Sequence, residues 1–449
     1  MTLTLTVSPA DDLLDVPRHI TVTGARPGTL VTLEATTVRA GQPWSAQATY
    51  RVTPDGSIDL DRDPPAFGDY GRVDGMALLT SQQRESASGR SSTGPGIAAL
   101  VTEPLVTAVR AWSEHEPHLR ASATLTQRFL CAGVTRQEVR TPAADAFPGL
   151  VGTLFVPAGR GPHPTIMVLN GSGGGINEER AALYASRGIQ ALALGYFRAP
   201  GLPDHITGTP LEYFAAGLRW MHAQLAPRNG VVVVSGQSRG GELALLLGSL
   251  FPDLVGAVVG FVPGAHVHGS QGAADPEQGW DSPTWTLAGE PLDHLWDANP
   301  GVSWQPWTGG EPPHRHRNVY VDGLRDREFA ARSRIAIEQF PGPVACVSGM
   351  DDRLWPSSMY SRQVMDTLRE AGHTQEQLHL DYPDAGHAIG LPQLPVPQGL
   401  TTHPVSGITY TTGGTPAGNS LANADSFAQI CRFVQRCTQH APQPQPHQP

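Results

Sequence analysis

Gly236-Gln237-Ser238-Arg239-Gly240 stands between a β-branched run at residues 231–234 and a helical stretch that opens near Gly241-Glu242. No other feature restricts the fold so tightly. A serine with a glycine two residues away on each side, set where strand passes into helix, calls for a sharp turn with close backbone packing on both flanks. The turn presents the hydroxyl at the C-terminal edge of a strand. The helix N-terminus behind it favours negative charge developing on a bound substrate. The bland alternative is a simple Gly-rich turn.

The surroundings match. Residues 165–169 form a continuous apolar run, as expected of a strand buried on both faces. A Gly-rich loop follows, then a helix over 178–187 ended by Gly188, and a second buried strand over 189–194. Leu211, Phe214, Leu218 and Met221 share one face of a helix over 211–225. Further elements are expected at 242–251 (helix), 254–262 (apolar strand), 344–348 (strand), 357–371 (helix), 378–382 (strand) and 422–436 (helix). Strand–helix alternation of this kind gives a mostly parallel sheet with right-handed crossovers. Residues 264–313 are irregular and hold five of the nine tryptophans, which suits a cap or long loop over a site.

The first 142 residues read differently. Short alternating strands at 20–23, 31–35, 46–52, 57–60, 106–112 and 120–128 are separated by turn signals such as Thr53-Pro54-Asp55-Gly56. They suggest an all-β, immunoglobulin-like sandwich. The Ser/Gly-rich stretch 86–96 is expected to be a mobile loop. The organisation is therefore a sandwich over 1–142, an α/β domain over 143–440, and a disordered Pro/Gln tail over 441–449.

A serine elbow on such a sheet takes an acid and then a histidine from later strand ends, in that chain order. Asp351 and Asp352 both follow the strand at 344–348. Asp352 is preferred because it lies three residues past Gly349 and four before Pro356, leaving Asp351 to cap the next helix. His387, in Asp384-Ala385-Gly386-His387, follows the strand at 378–382 and is the candidate base. The loop Asn170-Gly171-Ser172-Gly173-Gly174-Gly175 follows the first buried strand of this domain. There Ser172, or next Gly173, is expected to give one oxyanion N–H, with Arg239 giving the other. A dinucleotide-binding loop is the competing reading. It lacks the acidic residue at the end of a second strand and leaves Ser238 and His387 unexplained.

Composition removes other classes. All 31 basic residues are arginine, so Schiff-base lysine chemistry and a P-loop are both excluded. A net charge of −10 argues against a nucleic-acid binder. The four cysteines (Cys131, Cys346, Cys431, Cys437) show no ligand spacing, and Cys346 lies in an apolar run that suits the core. No cofactor or metal is indicated. The opening Met1-Thr2-Leu3-Thr4 has no basic or apolar leader pattern, and no run is long enough for membrane insertion, so a cytoplasmic protein is expected.

Five stretches together resemble one family: Gly171 to Gly175, Leu211-Glu212-Tyr213-Phe214, GQSRGGE at 236–242, Gly349 to Trp355, and Ala385-Gly386-His387. Gly413-Gly414-Thr415-Pro416, Leu30-Val31-Thr32-Leu33 and residues 46–60 fit the same pattern. The chain is similar over nearly its whole length to the acyl-CoA thioesterase / bile-acid-CoA:amino-acid N-acyltransferase family. That resemblance implies an α/β-hydrolase domain behind the sandwich, an acyl-CoA substrate and a covalent acyl-enzyme. It carries the nucleophile to Ser238, the acid to Asp352 and the base to His387. Amino-acid-conjugating members of the family have Cys at the nucleophile position and the thioesterases have Ser, so Ser238 favours hydrolysis. The alternatives are an N-acyltransferase, a dienelactone-hydrolase-like carboxylesterase, and a binding protein that has lost catalysis. Coenzyme A is polyanionic and the chain acidic, which makes Arg198, Arg239 and Arg353, near the motif loops, candidate charge partners.

Overall fold

Residues 2–86, 89–91, 100–116, 118–143, 148–303, 316–396 and 401–439 are described in a computed structural model of the chain. It divides into two compact units. The first comprises 1–131, 391–401 and 415–424; the second comprises 132–390, 402–414 and 425–449.

Alternation builds the first unit. Leu105–Ser113 buries every second residue, and Leu30–Arg39 and Gln42–Arg51 pair antiparallel beside it. The larger sheet runs in the order Asp11–Leu13, Arg120–Arg128, Leu105–Ser113, Leu30–Arg39, Gln42–Arg51, Gln83–Ser86, Gly89–Ser91. A three-stranded sheet of Thr4–Ser8, His19–Thr23 and Ser57–Asp59 completes the sandwich. Ile20, Val22 and Ile58 from the smaller sheet and Val31, Leu33, Val109 and Leu125 from the larger one form the core. Gln83–Ser86 and Gly89–Ser91 take part of the expected 86–96 loop; the rest of that loop and the 441–449 tail lie outside the described residues.

The second unit is built on eight strands: β1 Thr135–Arg140, β2 Val151–Val156, β3 Thr165–Leu169, β4 Gln190–Gly195, β5 Val232–Gln237, β6 Ala257–Phe261, β7 Val344–Gly349 and β8 Gln377–Tyr382. Their order is β1-β2-β4-β3-β5-β6-β7-β8. The first two pairings, β1 with β2 and β2 with β4, are antiparallel, and all later ones are parallel. Every residue of β3, β4, β6 and β7 is buried, which explains their unbroken apolar runs. This is an α/β-hydrolase domain with a mostly parallel sheet, preceded by an all-β sandwich. Strand β1 (TRQEVR) was counted with the sandwich on sequence. It is polar and almost wholly exposed, so it has no apolar period to announce it, and it pairs with the second sheet.

Two helices start more than one residue away from their expected bounds. The helix after Ser238 spans Arg239–Leu250 and so starts three residues early, because Gly240 and Gly241 hide its first turn from any propensity reading. The last helix, Pro416–Cys437, is six residues longer at its start than 422–436. In the described part of the 264–313 segment, Trp285–Leu287 pairs with Thr209–Pro210 and with Glu290–Pro291. Trp285 and Trp296 are buried there, while Trp304 and Trp307 lie outside the described residues. Cys346 is fully buried in β7, and burial pushes its thiol up to about 12. Among the described residues no helix is long and apolar enough to cross a membrane.

Candidate active site

Strand β5 ends at Gln237, and Ser238 takes φ 56° and ψ −119°, a conformation costly for a residue with a Cβ. Its neighbours impose it. A Cβ at Gly236 would collide with the backbone of Gly240, and one at Gly240 with the carbonyl of Asn170. Both positions therefore demand glycine. The Ser238 N–H donates to Phe261 O at 2.8 Å, and Ser238 O accepts from Gly241 N (2.8 Å) and Glu242 N (3.0 Å), which starts the helix.

Residues 149 positions apart meet at this elbow. His387 Nε2 lies 2.8 Å from Ser238 Oγ, and His387 Nδ1 lies 2.8 Å from Asp352 Oδ2. Asp352 and His387 are 2% and 7% exposed. The other carboxylate oxygen of Asp352 accepts from Leu354 N (3.0 Å) and Trp355 N (3.1 Å), so both oxygens are held. His387 N–H donates to Thr412 O at 2.8 Å, and the edge of Trp355 packs on its ring. Asp351 turns the other way. It binds Arg353 Nε at 3.0 Å and accepts from Gly414 N at 2.9 Å. It does not cap Ser357–Glu370, whose N-cap residue is Pro356, contrary to the expectation from sequence.

Of the two loop residues expected to face Ser238, Ser172 lines the same recess as Ser238 and Arg239. A Gly171–Gly174 turn (3.1 Å) sets it there. Gly173 is not among the residues that line that recess; its carbonyl accepts from Arg198 (2.9 Å). His403 is a neighbour that sequence reasoning missed. Its Nε2 lies 2.9 Å from Ser172 Oγ, while its Nδ1 accepts from Val405 N and Ser406 N. Two donors on Nδ1 leave the ring proton on Nε2, so His403 donates to Ser172 and leaves the serine's own proton free to be donated. Burial pushes His403 down to about 4, keeping it neutral.

Arg239 is a second correction. It is no phosphate arm, because its side chain is 2% exposed and turned inward. It pairs with Glu242 Oε2 at 2.8 Å and donates to the carbonyls of His268 and Gly269. Glu242 is fully buried and also takes His268 Nδ1 (2.7 Å) and Trp285 Nε1 (3.0 Å). Burial alone would raise this carboxyl. Arg239 beside it and the His268 donor outweigh that and hold it below the usual range. His268 is kept neutral by burial, donates from Nδ1, and meets Tyr360 OH at Nε2 (3.0 Å) within a shell of Trp296, Tyr320, Trp355 and Tyr360. The helix that follows Ser238 is thus anchored by one ion pair in aromatic surroundings. Glu242→Leu strands a guanidinium there and is expected to cost about 3–5 kcal/mol of stability. Urea unfolding reads it; a loss under about 1 kcal/mol would contradict this anchoring role.

His266 is 3% exposed, and burial pushes it down to about 4. The unfolded ring titrates near 6.5, so the unfolded chain binds the extra proton first. Its stabilisation is complete above pH 6.5 and falls as pH drops toward 4. From pH 6.5 to 5 that amounts to about 2 kcal/mol. Denaturation midpoints across this range should fall, and His266→Gln should flatten part of the slope; an unchanged slope in the variant would count against the assignment.

Residues 15–141 match the family model described as "Acyl-CoA thioester hydrolase/BAAT N-terminal region", and residues 209–440 match "BAAT / Acyl-CoA thioester hydrolase C terminal". The chain is 31% identical to acyl-coenzyme A thioesterase 6 of Mus musculus, over 97% of each chain. It is 29% identical to the peroxisomal succinyl-coenzyme A thioesterase of the same organism, over 96% of each. Among solved structures, a bacterial heroin esterase is similar to 69% of this chain and 86% of its own, at 16% identity and a TM-score of 0.40.

Proposed function

Because the chain belongs to the acyl-CoA thioester hydrolase/BAAT family, we propose that it hydrolyses acyl-CoA to free acid and coenzyme A through a Ser238–His387–Asp352 triad. Ser238 Oγ attacks the thioester carbonyl while His387 Nε2 takes its proton. Asp352 holds the imidazole with its proton on Nδ1 and stabilises the imidazolium. The backbone N–H groups of Arg239 and Ser172 receive the negative charge on the carbonyl oxygen. His387 then returns the proton to the departing CoA sulfur, leaving an acyl ester on Ser238. Water, deprotonated by His387, cleaves that ester and releases the acid.

The observation that supports this most is the imidazole of His387, held 2.8 Å from the acid on one side and 2.8 Å from the serine on the other. Arg198 and Arg353 remain candidates for the CoA phosphates, Arg353 while shared with Asp351. The cytoplasmic location expected from sequence is part of this proposal.

The test sets CoA thioesters and oxygen esters of matched acyl chains side by side, with and without glycine or taurine. Free thiol with free acid, and a preference for the thioester, is the expected result. An amide product would make the enzyme an acyltransferase, and a preference for oxygen esters would make it a carboxylesterase.

A further inference from the structure

Gly171 brings the loop after β3 onto the Ser238 elbow. A Cβ there would lie 2.9 Å from Gln237 O and 3.2 Å from Ser238 Cβ, so the approach is made by a glycine. Ser172 comes next in the chain, and it lines one recess with Ser238, Arg239 and His403. That recess has room for about one water molecule, the space that a single oxygen atom needs. Ser172 Oγ has one hydrogen-bond partner among the described residues, His403 Nε2 at 2.9 Å.

The direction of that bond is set on the other side of the ring. Residues 403–408 form a closed turn: His403 N donates to Ile408 O at 2.8 Å, and Gly407 N donates to His403 O at 2.9 Å. The turn folds two backbone donors onto His403 Nδ1, Val405 N at 3.2 Å and Ser406 N at 3.3 Å. A proton on Nδ1 would face both of them and break both bonds. The proton therefore sits on Nε2 and is donated to Ser172 Oγ. A hydroxyl that accepts from a histidine has its own hydrogen to give, and no acceptor among the described residues takes it.

We propose that the Ser172 hydroxyl is a third oxyanion donor, giving its hydrogen to the acyl carbonyl oxygen as Ser238 attacks, and that His403 is the positioning residue that keeps the hydroxyl turned that way. It acts beside the backbone N–H groups of Arg239 and Ser172. The inference rests on the acyl-transfer chemistry of the reading above, not on the thioester as such. No proton changes owner: Ser172 and His403 each keep their hydrogen and share it along the line His403 Nε2–H to Ser172 Oγ–H to the carbonyl oxygen. The last bond strengthens as that oxygen gains negative charge, so it stabilises the transition state more than the bound substrate. A histidine in the opposite tautomer would draw the Ser172 hydrogen to itself and remove the donor.

Two probes read it, thiol release from acetyl-CoA and nitrophenol release from p-nitrophenyl acetate, because both acyl groups pass through the same oxyanion. Ser172→Ala, or Ser172→Gly if the first variant does not fold, is expected to lower kcat and kcat/KM equally, by about a hundredfold. His403→Leu, or His403→Phe if leucine does not fold, is expected to lower kcat by about tenfold in the parent and by less than about twofold in the Ser172→Ala background. A histidine that only braced the loop would cost the same factor in both backgrounds. The proposal is overturned by a folded Ser172→Ala within about threefold of the parent, by a loss confined to KM, or by a His403 effect of equal size in both backgrounds. Turnover of the nitrophenyl ester alone, with the expected factors, keeps the Ser172 donor and removes the thioesterase reading. Turnover of both probes without those factors removes the donor alone, and a wild-type chain inert on both removes the two readings together.

Discussion

Ser238→Ala is expected to lower kcat for thiol release from acyl-CoA by about a millionfold, the scale on which a serine nucleophile acts when the rest of its machinery is intact. The residual rate reflects binding and oxyanion stabilisation alone. No protein contact beyond His387 depends on the hydroxyl in the described structure, and the elbow is imposed by Gly236 and Gly240, so the variant should fold as the parent does. Stopped assays of thiol release, with unfolding midpoints measured beside them, separate lost chemistry from lost fold. A folded variant within tenfold of the parent would remove Ser238 from the mechanism.

Asp352→Asn is expected to lower kcat by about 10⁴, and Asp351→Asn by less than about tenfold. The contrast comes from hydrogen bonding, since the two aspartates are neighbours in the chain. An asparagine amide at 352 can donate to His387 Nδ1, which moves the imidazole proton to Nε2. The ring then cannot accept the Ser238 proton. Asp351 is 39% exposed at its side chain and bonds to Arg353 and Gly414, not to His387. Equal losses in the two variants, or a larger one at Asp351, would reverse the assignment.

The parts of the molecule legible in its sequence are those with a period or a steric demand. Strands β3 to β7 are apolar runs because their residues are buried on both faces. The sandwich strands alternate because one face meets the core. The elbow is legible because only glycine fits at 236 and 240. The three candidate side chains, Ser238, Asp352 and His387, lie at ends of strands that could each be placed, so their convergence follows from strand order. Strand β1 was not legible because its exposed edge needs no apolar residues. Arg239, a candidate charge partner on sequence, turns inward because its orientation is set by Glu242 three residues along the same helix, and helical spacing alone does not say which way a long side chain turns. His403 and Gln271 reach the recess from the segment after Thr401–Thr402 and from a short 3-10 turn, neither with a motif of its own. Only tertiary structure puts them beside Ser172 and Ser238.

Capture of the covalent intermediate is the most direct measurement. Mixing the enzyme with an acyl-CoA, quenching in acid within one turnover and digesting should leave a peptide heavier by the acyl group minus one hydrogen, with the added mass on Ser238. Release of coenzyme A with no acylated peptide at any quench time, or acylation of a different residue, would contradict the account.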